Sequence, residues 1–257
     1  MQRNRRVKGW MRARAFAIVM MAAVGGAGIS AVGLVAMTSS AIAADLTAGQ
    51  TAAVKASVQT AIANVNPALT GSAKAQAIAA AIAQVTKTDV AIYGAGAISV
   101  VVSAAIADGV SANLAVAVAM RAAVESGVAV SVAVDDVLLG AIAAGASVQR
   151  VTEAIIAAAA QDGYAASDVG AGLGLAATQL AQTNPDAAFE IASVVSNEGD
   201  GSMRQAFSQS VVANGGSQQL ADAGSANPNA QSGPTAGGST GTGGTATITS
   251  CGNPSCT

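Results

Sequence analysis

The 257-residue chain contains no histidine, so the commonest general base and the commonest metal ligand are missing together. Six of its twelve basic residues (Arg3, Arg5, Arg6, Lys8, Arg12, Arg14) fall in the first fourteen positions, leaving six cations against fourteen acids beyond them, a net charge of -8. Scattered cations on an acidic body cannot form a phosphate-binding face, which excludes nucleic acid as a partner, and Tyr93, Tyr164, Phe189 and Phe207 are too few for an aromatic stacking platform.

In chain order, the basic start is followed by an uncharged run from Ala15 to Ala36 and then by Ser39-Ser40-Ala41-Ile42-Ala43-Ala44, with small residues where a signal peptidase cuts. Residues 1–43 therefore read as an export signal cleaved after Ala43 or Ala44. Uncleaved, the same run is the chain's one route to a membrane, since about 20 apolar residues span a bilayer. Arg5-Arg6 lacks the rest of a twin-arginine motif.

Residues 44–214 read as an Ala/Val-rich helical domain. Thr51 to Asn64 predicts a first helix, stopped at Asn66-Pro67 because the residue before proline is driven out of helical geometry. Gly71-Ser72 precedes a second, in which Ile78, Ile82 and Val85 keep helical spacing. Thr88-Asp89 predicts the cap of a third segment running to Ala107, with Gly94 and Gly96 near its start.

From Ala105 to Ser167 the chain repeats. Gly109, Gly127, Gly145 and Gly163 recur 18 residues apart, and alternate units agree best: Ala105 to Ser111 is answered by Ala141 to Ser147, and Gly127 to Ser131 by Gly163 to Ser167. Helices are predicted over Ala112–Ser126, Ser131–Ala144, Val148–Asp162 and Asp168–Gln182, each turn holding a glycine for positive φ and then a serine to cap the next helix. Gly170 and Gly174 suit close helix contact. Asn184-Pro185 opens a helix through Val195, Gly199 returns to the 18-residue phase that Ala181 misses, and a last helix covers Ser202–Ala213.

The fold class this predicts is all-α: an α-solenoid-like array of short antiparallel helices, with 18-residue helix-turn units paired into 36-residue hairpins. Eighteen residues is also three hexapeptides, one coil of a β-solenoid, and Val128 to Val134 alternates with period two. Against that alternative stands the abundance of alanine, a strong helix former and a poor strand residue. Residues 215–250, rich in Gly, Ser and Thr, read as a flexible tail, and 251–257 as a terminal loop bounded by Cys251 and Cys256. Two cysteines around Asn253-Pro254 in an exported chain predict a local disulfide.

Chemistry-bearing motifs are sparse. Asn197 to Ser202 echoes a calcium loop but departs from it at Gly199 and reads as a turn. Gly94-Ala95-Gly96 echoes a dinucleotide loop with Ser99 in place of the final glycine. Asp135-Asp136 could pair as acid and base or hold a cation, and as a pair near a helix start it reads as a solvated first-turn patch. With no histidine, a serine nucleophile would need Lys55, Lys74 or Lys87 as base, and none sits in a Ser-x-x-Lys setting.

No cofactor or metal is expected. The chain reads as an exported, non-enzymatic envelope or extracellular protein that acts through a helical repeat surface, by self-association or on an envelope protein partner. The alternative is a periplasmic binding module for a small hydrophobic ligand.

Overall fold

The computed structural model describes residues 46–226. The predicted export signal, the far part of the tail and the Cys251–Cys256 pair lie outside them. Within them are ten helices: α1 Ala48–Ala63, α2 Gly71–Tyr93, α3 Ala97–Ala107, α4 Ala112–Glu125, α5 Val130–Ala143, α6 Val148–Asp162, α7 Ala166–Ala181, α8 Pro185–Glu198, α9 Gly201–Ala213 and α10 Gln218–Ser225. No strand occurs among the described residues, so the β-solenoid alternative is not supported. The alternation at Val128–Val134 loses to alanine-rich flanks that close helical hydrogen bonds locally.

The helices stack in two layers. Each packs against the helix two places along the chain, α1 on α3 on α5 on α7 on α9 and α2 on α4 on α6 on α8 on α10, and hairpin neighbours pack between the layers. This arrangement explains why the repeat is stronger at 36 residues than at 18: alternate units occupy the same layer and meet the same surroundings.

The turns explain the 18-residue period itself. Gly109, Gly127, Gly145 and Gly163 stand at φ of +86, +89, +83 and +72, a region where a side chain is strained. Around each, the amide after the glycine donates to a carbonyl five residues back: Val110 to Ala105, Val128 to Ala123, Ala146 to Ala141 and Tyr164 to Ala159, at 2.9–3.1 Å. The glycine's own amide donates three residues back, completing a Schellman closure at every turn. The residue after the glycine is Val110, Val128, Ala146 or Tyr164, each turned at least partly inward. Gly199 keeps the sequence phase but not the conformation, at φ -70.

The start signals are less uniform. Ser147 accepts from the Arg150 amide at the head of α6, and Ser111 occupies the cap of α4 without a side-chain bond. Ser131 and Ser167 do not cap: Ala129 and Ala165 take those positions, and the serines fall just inside α5 and α7. Thr88-Asp89 does not start a helix either, because α2 runs unbroken through both to Tyr93 and ends at Gly94, φ +83. Ala-rich sequence on each side lets the helix continue, and Asp89 turns inward.

The helical body also extends past the predicted tail boundary at 215. Ser217 accepts from the Leu220 amide and opens α10, which buries Leu220 and Ala221. Gly224 lies so close to the Phe207 ring that a Cβ there would overlap it. One apolar pair in a polar sequence is enough because Phe207, fully buried, needs a lid.

Glycine sets the spacing in the α1–α3–α5–α7–α9 layer. A Cβ on Gly140 would overlap the Ser99 backbone, one on Gly172 the Ser131 carbonyl, one on Gly170 the Met203 backbone and one on Gly174 the Phe207 carbonyl. Gly170 and Gly174 thus have the contact role their spacing suggested, and Gly140 and Gly172 share it. A larger side chain at any of the four would hold the axes apart.

Candidate functional site

The most unusual chemistry lies at the middle of the stack, on α5. Residues 133–138 are all buried, because α3 and α7 flank this helix and α4 and α6 also pack against it. Asp135 and Asp136 fall inside that stretch, at 7% and 6% exposure. The expected solvated first-turn pair is therefore overturned. These aspartates sit in the helix interior, where neighbours on two sides remove water and no orphan amide is left to donate to them.

Gln179 on α7 donates through Nε2 to Asp135 Oδ2 at 3.0 Å. Asp135 Oδ1 and Asp136 Oδ2 have no hydrogen-bond partner. Burial without compensation disfavours the charged form, so both carboxyls are pushed up to about 7. For Asp135 the Gln179 bond opposes this, and for Asp136 the neighbouring charge adds to it. The pair takes up and releases protons near neutrality, which is the chemistry it offers.

Asp89 on α2 is a third buried carboxyl, raised by burial and with Oδ2 unpartnered. No group of three or more metal-ligating side chains converges among the described residues. The calcium-loop echo also has another use: Asp200 accepts from the Met203 amide at 2.8 Å and from the Ser202 hydroxyl at 2.7 Å, capping α9. The Met203 bond first, and then Ser202, hold its carboxyl below the usual range.

Charged side chains stitch the second layer together. Lys87 on α2 pairs with Glu125 on α4, and Arg121 on α4 makes a two-pronged pair with Asp162 on α6. Glu190 on α8 accepts from the Gln149 amide at 3.2 Å, at the head of α6. Every inter-repeat step of this layer from α2 to α8 thus carries a bridge.

The four turn glycines do not converge. Gly109 and Gly145 close α3 and α5 at one edge of the stack, and Gly127 and Gly163 close α4 and α6 at the other. A groove of about 360 Å³ lies between the first two turns, lined by Ser111, Asn113, Ser147 and Arg150 among others. A second, about 340 Å³, crosses α1, α3 and α5 beside Lys55, Gln59, Ser103 and Asp108. Both are open grooves, and the first is also lined by Ile106 and Val151. No helix among the described residues is long and apolar enough to cross a membrane.

No family model, curated protein or solved structure matches the chain.

The aspartate pair, the four turn glycines and the Asn197–Ser202 loop are all visible in the sequence as candidates, and the burial of the aspartates is not. Gln179 went unnoticed, because a glutamine 44 residues from its partner carries no local signal.

Proposed function

We propose that this is an exported, non-enzymatic envelope or extracellular protein that works through the surface of its helical stack, by holding a protein partner or further copies of itself. The observation that supports this is the state of the first unit. Every inner helix of the glycine-spaced layer is flanked on both sides, whereas α1 has α3 on one side and no described element on the other. Its outward stripe, Gly49, Ala53, Ala56 and Thr60, is exposed and small, and Ile92 at the end of α2 is 63% exposed. Solenoids generally close such ends with polar capping units, so an end with no described element against it invites a macromolecular contact. Export is carried by the basic, apolar and small-residue pattern of residues 1–44 alone.

The test is a photo-activated cross-linker placed at Ala56 in the producing cell. A discrete cross-linked species, with a second copy or with another protein, is expected. If irradiation yields only uncross-linked chain at normal abundance, an interaction surface at this end is ruled out.

A further inference from the structure

The two ends of the stack carry opposite charge. Between residues 46 and 93 the exposed ionisable side chains are Lys55, Lys74 and Lys87, and the sole acid, Asp89, is buried. Between residues 166 and 226 there are six exposed acids, Asp168, Asp186, Glu190, Glu198, Asp200 and Asp222. The one cation there, Arg204, is half-buried and donates to the Ser196 carbonyl. The free exposed charge of the first unit is therefore basic, Lys55 and Lys74, since Lys87 already pairs with Glu125, and the last two units, α7–α10, are acidic, with Asp200 and Asp222 on the final one.

The ends also match in form. At the first unit, α1 offers small residues and α2 offers Lys74. At the last unit, α9 shows the exposed Ser202, Gln205, Gln209 and Val212, and α10 shows Asp222. Inner junctions of the stack supply a precedent for each ingredient. In the layer of α1 and α9, small residues let backbones approach, as Gly174 does against Phe207. In the layer of α2 and α10, opposite charges bridge α2 to α4 and α4 to α6, as Lys87 and Glu125 do.

Resting on the interaction-protein reading above, we infer that copies of this chain join head to tail, the α1–α2 end of one docking on the α9–α10 end of the next, with Lys74 facing Asp222 across the joint. Such a joint is heterologous: it uses two different surfaces, so nothing limits it to a dimer, and the helical stack continues from copy to copy. Opposite charge selects this pairing over first-unit to first-unit contact, which would set lysines against lysines. The occupant is another copy because the chain itself supplies both complementary ends.

Sedimentation of the full mature chain across a concentration series tests the joint. At low ionic strength the average mass should climb with concentration, and it should fall in about 0.5 M salt, where exposed charges are screened within a few ångströms. Lys74→Glu and Asp222→Lys, both at exposed sites, should each weaken association by about tenfold or more without lowering the melting temperature. Mixed in equal amounts, the two variants should associate again, because every mixed joint then pairs opposite charges.

Unchanged association of the Asp222→Lys chain would overturn the inference, as would no recovery on mixing, or a wild-type chain that stays monomeric throughout. If the wild type is monomeric yet Ala56 still cross-links to a different protein, the head-to-tail joint alone is lost. If Ala56 cross-links to nothing, the interaction surface at that end is lost with it.

Discussion

Gly140 on α5 lies directly against the backbone of Ser99 on α3, so closely that a Cβ would overlap the Ser99 carbonyl oxygen, Cα and carbonyl carbon at once. None of those atoms can swing aside as a side-chain tip could. Within a helix, glycine normally weakens the structure relative to alanine, by roughly 1 kcal/mol. At Gly140 the order must invert.

Gly140→Ala should therefore destabilise the fold by about 2 kcal/mol, the scale of overpacking in a rigid core. Gly49→Ala, in α1 with open space around the added carbon, should be neutral or slightly stabilising. Denaturant titrations of both variants make the comparison. A stabilised Gly140→Ala chain would mean that the layer is looser than described.

The turn glycines answer to a different constraint. Around Gly145 there is nothing for a Cβ to strike, but φ of +83 strains any residue that has one. Gly145→Ala should cost about 1 to 2 kcal/mol through the backbone alone. Gly199→Ala, at φ -70, carries no such backbone penalty, but its Cβ would crowd the Val195 carbonyl. Equal stability of Gly145→Ala and the wild type, by thermal melting, would contradict the positive-φ closure.

These positions show which parts of the fold were legible in the sequence. Helix ends marked by glycine are local: one residue type answers one dihedral, so the 18-residue phase located four turns from spacing alone. Helix starts were read less well. Serine reads as a cap, but Ala129 and Ala165 hold the extended N-cap positions with no side-chain bond, while Ser131 and Ser167 ride inside. Thr88-Asp89 misled for a related reason, since cap-forming residues are tolerated mid-helix when the side chain bonds back, as Thr88 does to Gln84. Burial of Asp135 and Asp136 could not be read at all. It follows from α5 lying between α3 and α7, a fact about the stack and not about neighbouring residues.

Residues 218–225 read as tail from their polar composition, yet Leu220 is 1% exposed and part of the main core. Leu220→Ala should destabilise the chain by about 2 to 4 kcal/mol, as for other fully buried leucines. Leu46→Ala, at a half-buried position before α1, should cost less. If Leu220→Ala unfolds at the wild-type denaturant midpoint, α10 is not part of the cooperative body.

Asp135 and Asp136 set the pH dependence. Each carboxyl titrates at about 7 in the folded protein and near 3.8 as an unperturbed group. Between those values the folded chain holds protons that the unfolded chain has released. Stability therefore falls as pH rises from about 4 to about 7, then levels off. Asp89, raised in the same direction, adds to the slope. Asp200 works oppositely: its depressed carboxyl contributes stability that is lost only as pH falls below the usual carboxylate range. Asn at position 135 or 136 keeps the shape and removes the charge, and Asn at 135 can still accept from Gln179. Asp136→Asn should thus stabilise the chain by about 2 kcal/mol at pH 8 and by little at pH 4. Urea titrations at the two pH values give the answer: an equal effect at both would mean that the pair is hydrated and ordinary, and a loss of stability at pH 8 would mean that its negative charge is balanced by a partner.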